Sequence, residues 1–130
     1  MIQKDRQHIV GWLNRNNLEM TETKTGLWYS IDRKGEGPKA ETGEVAVINY
    51  SVSLLDGTPC YSSRVRGPKQ FKIGQGGVES GLEEGILLLH EGEKATFVMP
   101  PHLAYGLPGD GDKIPAHAII VYKVELVALQ

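Results

Sequence analysis

The sequence predicts an α+β fold in which an antiparallel sheet packs on one short helix, with a further helix at the N-terminus. Its 130 residues suit a single domain with one core. Sixteen glycines and seven prolines imply many turns, as in a β-rich chain. Apolar residues alternate along several short runs, whereas helical spacing appears only near the start and over residues 78–89.

The first predicted element is a helix over residues 3–16. Ile9, Val10 and Leu13 form a loose apolar stripe, and Asn16-Asn17 is typical of a helix end. The polar residues that follow, up to residue 26, predict a connection.

Strands are predicted next from period-two alternation and from the turns that separate them. They span residues 26–31, 44–55, 71–73, 94–99 and 118–129. Asp56-Gly57 predicts a hairpin after the second strand. The polar run over residues 61–66 predicts no regular element.

A second helix is predicted over residues 78–89, because four apolar residues recur there at helical spacing. Gly81 and Gly85 lie inside it and lower its intrinsic helix propensity. They either weaken the helix prediction or indicate that the helix packs closely on the sheet.

Composition excludes several classes of protein. The net charge is −2, and the 14 basic and 16 acidic residues are mixed along the chain, so no nucleic-acid or membrane partner is predicted. No apolar run approaches the roughly 20 residues of a membrane helix. The single cysteine, Cys60, excludes an internal disulfide and a multi-cysteine metal site.

The first residues are polar and charged, and they contain no export signal. If a signal was removed upstream, we expect the periplasm or the cell envelope. Otherwise we expect the cytoplasm.

Two motifs suggest chemistry that the neighbouring residues do not support. Gly74-Gln75-Gly76-Gly77 resembles a phosphate loop, but Glu79 stands where a nucleotide fingerprint needs glycine, so a strand-to-helix turn is favoured. Ser62-Ser63 has no adjacent base that would activate a nucleophile.

The histidines and the acidic residues are predicted to lie in solvent or to serve structure. The four histidines lack metal-ligand spacing, so no metal site and no cofactor are expected. Glu83, Glu84, Glu91 and Glu93 could form an acid cluster, but a solvated face is the preferred prediction.

The aromatic residues give the remaining candidate site. Tyr50, Phe71 and Tyr122 fall on predicted strands and could be core. Tyr105 precedes a glycine at the mouth of an irregular loop, and Ile114 closes that loop. The two side chains would form a wall of an apolar cleft with one hydrogen-bond donor.

Together these segments resemble the FKBP-type peptidyl-prolyl cis-trans isomerases over about a hundred residues. The matching pieces, in order, are Val47-Ile48-Asn49-Tyr50, Leu55-Asp56-Gly57, Ser62-Ser63-Arg64, Phe71-Lys72-Ile73-Gly74, Val78-Glu79-Ser80-Gly81-Leu82-Glu83-Glu84-Gly85, Gly92-Glu93-Lys94-Ala95, Leu103-Ala104-Tyr105-Gly106, Ile114-Pro115-Ala116-His117-Ala118 and Val121-Tyr122-Lys123-Val124-Glu125-Leu126.

The resemblance implies a half-open antiparallel sheet wrapped around the 78–89 helix, with a proline pocket between them. Residues 1–25 would be the N-terminal helix and connection, and residues 26–130 the isomerase domain. Residues implied to line the pocket are Tyr50, Cys60, Tyr61, Phe71, Val78, Glu79, Leu82, Tyr105, Ile114 and Tyr122. The implied catalytic set is the Tyr105 hydroxyl, the Glu79 backbone N–H and Tyr50.

Four positions depart from the family pattern. Cys60 and Tyr61 replace an aromatic residue and an aspartate, Leu82 replaces the tryptophan of the pocket floor, and Glu79 replaces an aliphatic residue. These changes predict weak isomerase activity and poor binding of the family's macrolide inhibitors.

The expected partners are proline-containing polypeptides. The resemblance is to bacterial envelope members, in which a helical N-terminal segment can dimerise, so a homodimer through the first helix is expected alongside its alternative, docking on its own domain. A proline-peptide-binding or chaperone module without catalysis is the alternative function.

Overall fold

The computed structural model describes residues 2–104, 109, 113–115 and 117–130. Three helices occur there: α1 (Ile2–Arg15), α2 (Ser63–Arg66) and α3 (Ser80–Ile86). The strands are β1 (Thr21–Glu22), β2 (Trp28–Arg33), β3 (Val45–Leu54), β4 (Pro59–Ser62), β5 (Lys69–Lys72), β6 (Lys94–Met99) and β7 (Ile120–Leu129). A 3-10 turn covers Pro101–Leu103.

All strand pairs are antiparallel and belong to one sheet with the order β1-β2-β6-β7-β3-β4. The strand β5 also pairs with β3, along residues 45–48, whereas β4 pairs with residues 51–53. The two short strands therefore share one edge of β3, with α2 between them. This arrangement confirms the predicted α+β class.

The helix α3 packs on β6 at very short range. A Cβ atom built on Gly81 would lie 2.8 Å from the Met99 sulfur, and one built on Gly85 would lie 2.8 Å from the Phe97 ring. The two glycines thus allow a close contact, which agrees with the second of the two interpretations of their presence. The helix is shorter than predicted, because after Ile86 the chain turns away and the Leu89 carbonyl accepts the Ala40 N–H.

Alternation along β3 and β7 separates a buried from a more exposed face, as predicted. On β3 the buried positions are Ala46, Ile48, Tyr50 and Val52. On β7 they include Ile120, Tyr122, Val124 and Leu126, while Lys123 is exposed. The main hydrophobic cluster joins these residues with Leu82 and Ile86 of α3.

The opposite face of the sheet carries α1. Ile9 and Leu13 are buried in a second cluster with Trp28 and Val98. Trp28 pairs with Val98 across β2 and β6. Val98 follows Phe97, which contacts α3, so the side chain of Val98 lies on the other face of the sheet. Docking on its own domain is therefore the observed state of α1, and pairing with a second copy stays a prediction.

The predicted end of α1 is confirmed by its capping contacts. Asn17 has a φ of 53°, in the left-handed region that terminates helices. The Leu18 N–H then reaches back to the Leu13 carbonyl at 2.9 Å, and the Asn16 side-chain amide donates to the Trp12 carbonyl. Among the described residues, no helix is long and apolar enough to cross a membrane.

The structure differs from the predictions in three local features. Residues 59–66 form β4 and α2, although the run over 61–66 predicted no regular element, because pairing with β3 compensates for the polar composition. The following strand begins at Lys69 rather than Phe71. In the connection after α1, Thr21 and Glu22 form the short edge strand β1.

The predicted solvated acidic face is wrong for Glu93, whose residue is 4% exposed. Its carboxylate accepts the backbone N–H groups of Gly35, at 3.1 Å, and His90, at 2.8 Å. Glu91 accepts the Leu129 N–H, and Glu83 accepts the N–H of Gly76. These carboxylates tie loops to the sheet and the helix, which makes their role structural.

Candidate active site

Two tyrosines form one wall of the site on the sheet face that carries α3. Tyr50 on β3 and Tyr122 on β7 have ring centroids 5.8 Å apart, with the rings inclined by 43°. Tyr122 is completely buried and Tyr50 is 8% exposed. Tyr122 pairs with Val52 on one side and with Phe97 on the other. Tyr50 pairs with Val124 on one side, and on the other side the Ser63 hydroxyl bonds its backbone N–H and carbonyl.

Tyr61 belongs to the same wall through the register of the sheet. It pairs with Val52, which in turn pairs with Tyr122, and Tyr122 pairs with Phe97. Residues paired directly across a sheet project from the same face. Tyr61 therefore extends the row of Tyr122 toward the β4 edge, where it becomes partly exposed.

The helix α3 and the residues before it supply the opposite wall. Leu82, the predicted floor, is completely buried in the main hydrophobic cluster. Val78 packs against that cluster and is partly exposed. Glu79 is 8% exposed and precedes the helix, where its carbonyl accepts the N–H groups of Leu82 and Glu83.

The remaining predicted residues divide into three groups. Cys60 and Ile114 are buried in the main cluster, and the Cys60 sulfur lies 3.8 Å from the Lys113 carbonyl oxygen. Phe71 is buried in the same cluster but pairs with Ala46, nearer the start of β3 than Tyr50. Tyr105 lies outside the described residues, so its role stays a prediction.

Lys69 is a site residue that sequence reasoning missed. Its ammonium donates a hydrogen bond to the Tyr122 phenol oxygen at 2.8 Å. It also lies 4.7 Å from the centroid of the Tyr50 ring and 5.5 Å from that of Tyr122. The signal in the sequence is period two: Lys69 stands two residues before Phe71 and so shares its face of β5.

The site is electrostatically asymmetric. Burial lowers the pKa of Lys69, Arg66 acts in the same direction, and Glu79 partly offsets both. The Arg66 guanidinium carbon lies 4.1 Å from the centroid of the Tyr61 ring, and the Lys113 ammonium lies 5.9 Å from it. Three basic side chains thus surround the aromatic wall.

The described residues thus bring an apolar, aromatic surface together with a few polar groups. An apolar pocket with a few polar groups binds small apolar groups and orients them with a few hydrogen bonds. Within the described part of the chain, no cluster of three potential metal ligands occurs.

Comparison with protein families gives a match over most of the chain. The family model described as FKBP-type peptidyl-prolyl cis-trans isomerase matches residues 37–127. A probable FKBP-type peptidyl-prolyl cis-trans isomerase FkpA of Neisseria meningitidis is 41% identical over 108 residues, which cover 82% of this chain and 39% of that protein. FK506-binding protein 2 of Dictyostelium discoideum is 41% identical over 92 residues, or 70% of this chain and 69% of that protein.

Solved structures agree with this match. The crystal structure of FkpA from Escherichia coli aligns with a TM-score of 0.84 at 30% identity, covering 98% of this chain and 58% of that one. AtFKBP13 aligns with a TM-score of 0.83 at 31% identity, covering 86% of this chain and 99% of that one.

The chain spans less than half the length of the FkpA proteins of N. meningitidis and Aeromonas hydrophila, namely 39% and 46%. It nevertheless includes the whole span of the family match and the tyrosine pair. The chain belongs to the FKBP-type peptidyl-prolyl cis-trans isomerase family.

Proposed function

We propose that this protein is a peptidyl-prolyl cis-trans isomerase that acts on proline-containing polypeptides and assists their folding. The observation that carries the proposal is the tyrosine pair, Tyr50 and Tyr122, on the sheet face that α3 covers. The family match and the partly exposed rim at Val78 and Tyr61 support it.

The reaction needs a shaped apolar pocket rather than a nucleophile. Rotation about a peptide C–N bond breaks amide resonance and costs about 18–20 kcal/mol. A pocket that binds the twisted imide more tightly than the planar one lowers this barrier. A proline ring against Tyr50 and Tyr122 would be sheltered from water, which disfavours the more polar planar amide.

Few hydrogen bonds are needed to orient the substrate. In this proposal the Glu79 backbone N–H, just before α3, donates to a carbonyl beside the proline ring. The Tyr105 hydroxyl donates to a second carbonyl. Such donors accelerate the reaction only where they favour the twisted state.

We propose that the activity is weak. Leu82 is smaller than the tryptophan that the family pattern places on the floor, and Tyr61 lacks the carboxylate of that pattern. A wider floor and one lost polar contact both reduce differential binding of the twisted imide. Turnover equal to that of a strong family member would contradict this part of the proposal.

The test is the cis/trans exchange of the blocked peptide acetyl-Ala-Leu-Pro-Phe-amide, measured by NMR with catalytic amounts of protein. The native protein should accelerate exchange. Val78→Asp should abolish most of the effect, because it places a charge at the rim of the apolar pocket. The matched control is Val127→Asp, at a valine of β7 that is 46% exposed. No acceleration by the folded native protein, or an equal loss in both variants, would refute the proposal.

The second candidate is a proline-peptide-binding or chaperone module with little catalysis. The replaced pair Cys60-Tyr61 favours it. In Tyr61→Asp the new carboxylate would lie near Arg66 and Lys113, which would keep it ionised. A strong rise in turnover with unchanged peptide affinity would identify the native protein as a weakened catalyst or a binder. Tyr61→Phe, which keeps the ring, is the control and should change turnover little.

A further inference from the structure

Lys69 occupies an unusual place for a lysine. Its ammonium lies against the two tyrosine rings of the pocket, at 4.7 and 5.5 Å from their centroids, and its hydrogen bond to Tyr122 fixes it there. Its side chain is only partly exposed. The Lys69 ammonium therefore lies on the same side of the sheet as the Tyr50 and Tyr122 rings.

The positive charge of the Lys69 ammonium is only weakly balanced by negative charges in the described residues. Among the described residues, no carboxylate lies within salt-bridge distance of Lys69, because the three ion pairs present involve other residues. Glu79 favours the charged form from further away, and Arg66 opposes it. A partly desolvated cation with only a distant countercharge attracts an anion more strongly than an exposed lysine does.

Two further basic side chains lie beside Tyr61, at the β4 edge of the sheet. The Arg66 guanidinium carbon lies 4.1 Å from the centroid of the Tyr61 ring. The ammonium of Lys113, which is an exposed residue, lies 5.9 Å from the same centroid. A groove of about 360 Å³, lined in part by Tyr61, Arg66 and Lys113, opens at this edge. The substrate chain on one side of the proline would therefore meet positive charge.

We infer that the pocket prefers proline segments in which a residue flanking the proline is aspartate or glutamate. The inference rests on the proposed function, since it assumes that proline binds at Tyr50 and Tyr122. Lys69 is its specificity-determining residue, and Arg66 and Lys113 extend the positive field along the groove. The acidic side chain supplies the close countercharge that the described residues do not.

The experiment compares blocked peptides that differ only in charge. Acetyl-Ala-Glu-Pro-Phe-amide is compared with acetyl-Ala-Gln-Pro-Phe-amide. Acetyl-Ala-Leu-Pro-Glu-amide is compared with acetyl-Ala-Leu-Pro-Gln-amide. For the native protein, kcat/KM should be about fivefold higher for at least one glutamate peptide, in the range of a single ion pair. The ratio should fall toward one in about 1 M salt, which screens charges.

Variants assign the preference to Lys69. In Lys69→Met the ratio should fall close to one, whereas Lys69→Arg should keep it. Lys72→Met, which removes an exposed lysine from the same strand, should leave the ratio unchanged. A ratio at or below one for both peptide pairs, with clear turnover of the Leu-Pro peptide, overturns this inference and leaves the proposed function intact.

Absence of any turnover contradicts the proposed function instead. In that case the same peptides are titrated and followed by NMR shifts of the protein. Tighter binding of a glutamate peptide by the native protein, lost in Lys69→Met, would support the preference. Equal affinities for both peptides of each pair would overturn it.

Discussion

The ammonium of Lys69 donates a hydrogen bond to the phenol oxygen of Tyr122 across 2.8 Å. Tyr122 is completely buried and lies 5.8 Å from Tyr50, ring to ring. A charged donor is thus attached to the aromatic wall. In the proposed function, the site combines an apolar pocket with a positive charge that this hydrogen bond holds in place.

The first prediction concerns this lysine at alkaline pH. Burial lowers its pKa below the ordinary value of 10.5, Arg66 adds to the effect, Glu79 opposes it, and the Tyr50 and Tyr122 rings face the ammonium. Unfolding therefore takes up a proton between the lowered pKa and about 10.5, so native stability rises with pH in that window. Lys69→Met lacks this rise.

The measurement is the free energy of unfolding by urea from about pH 7 to about pH 11. The native protein should gain stability relative to Lys69→Met as the pH increases. Lys72→Met should follow the native protein. A difference between native protein and Lys69→Met that is constant with pH contradicts the prediction.

The second prediction concerns Glu93. Burial alone would raise its pKa, but the backbone N–H groups of His90 and Gly35 outweigh that effect and hold the pKa below its usual value. Glu93→Gln should lower the free energy of unfolding by about 1–3 kcal/mol at neutral pH, because charged hydrogen bonds are lost. The exposed Glu36→Gln should change it by less than about 0.5 kcal/mol.

The pH dependence follows from the lowered pKa of Glu93. Its stabilisation is fully present above the unfolded pKa of about 4.5 and disappears as the pH falls through the folded value. The gap between native protein and Glu93→Gln should therefore narrow in acid. Equal stabilities at neutral pH would refute the structural role of this carboxylate.

The third prediction concerns the contact between α3 and β6. A methyl group at Gly85 would meet the Phe97 ring at 2.8 Å, and that ring is completely buried. Gly85→Ala should therefore cost about 1–3 kcal/mol through overpacking. Gly11→Ala in α1 meets only the mobile end of Arg15, at 3.2 Å, and should stabilise by up to about 1 kcal/mol. The midpoint of thermal unfolding is measured for both variants. A higher midpoint for Gly85→Ala than for the native protein would contradict the prediction.

The fourth prediction concerns the docking of α1. Leu13 is 5% exposed against Trp28 and Val98 on the outer face of the sheet. Leu13→Ala should cost about 2–4 kcal/mol, as for other buried leucines, whereas the exposed Asn14→Ala should be nearly neutral. Urea unfolding measures both. A neutral Leu13→Ala would show that α1 does not depend on this face.

Much of the fold could be predicted because its signals are local. The bounds of β6 are those expected, and β3 and β7 differ from expectation by one or two residues at their ends. The strand β3 alternates along most of its length, β6 and β7 alternate over part of theirs, and each strand has a turn signal at one end. The turn signal Asp56-Gly57 stands just before β4, but the residues of β4 show no apolar alternation, so the strand becomes apparent only from its hairpin pairing with β3.

The site was predictable in part for the same reason. Tyr50 and Tyr122 stand on strands with clear alternation, and the family resemblance brings them together. Lys69 was missed because the predicted strand began at Phe71, and because its partners are contributed by β3 and β7. Glu93 was assigned to solvent because one of its partners, Gly35, lies 58 residues away in the sequence.

The most direct test of the account is the position of a bound proline. Intermolecular NOEs are measured between the prolyl ring protons of acetyl-Ala-Leu-Pro-Phe-amide and the protein. The account predicts contacts to the Tyr50 and Tyr122 rings. Prolyl contacts confined to the outer sheet face around α1, with none to the two tyrosine rings, would contradict it.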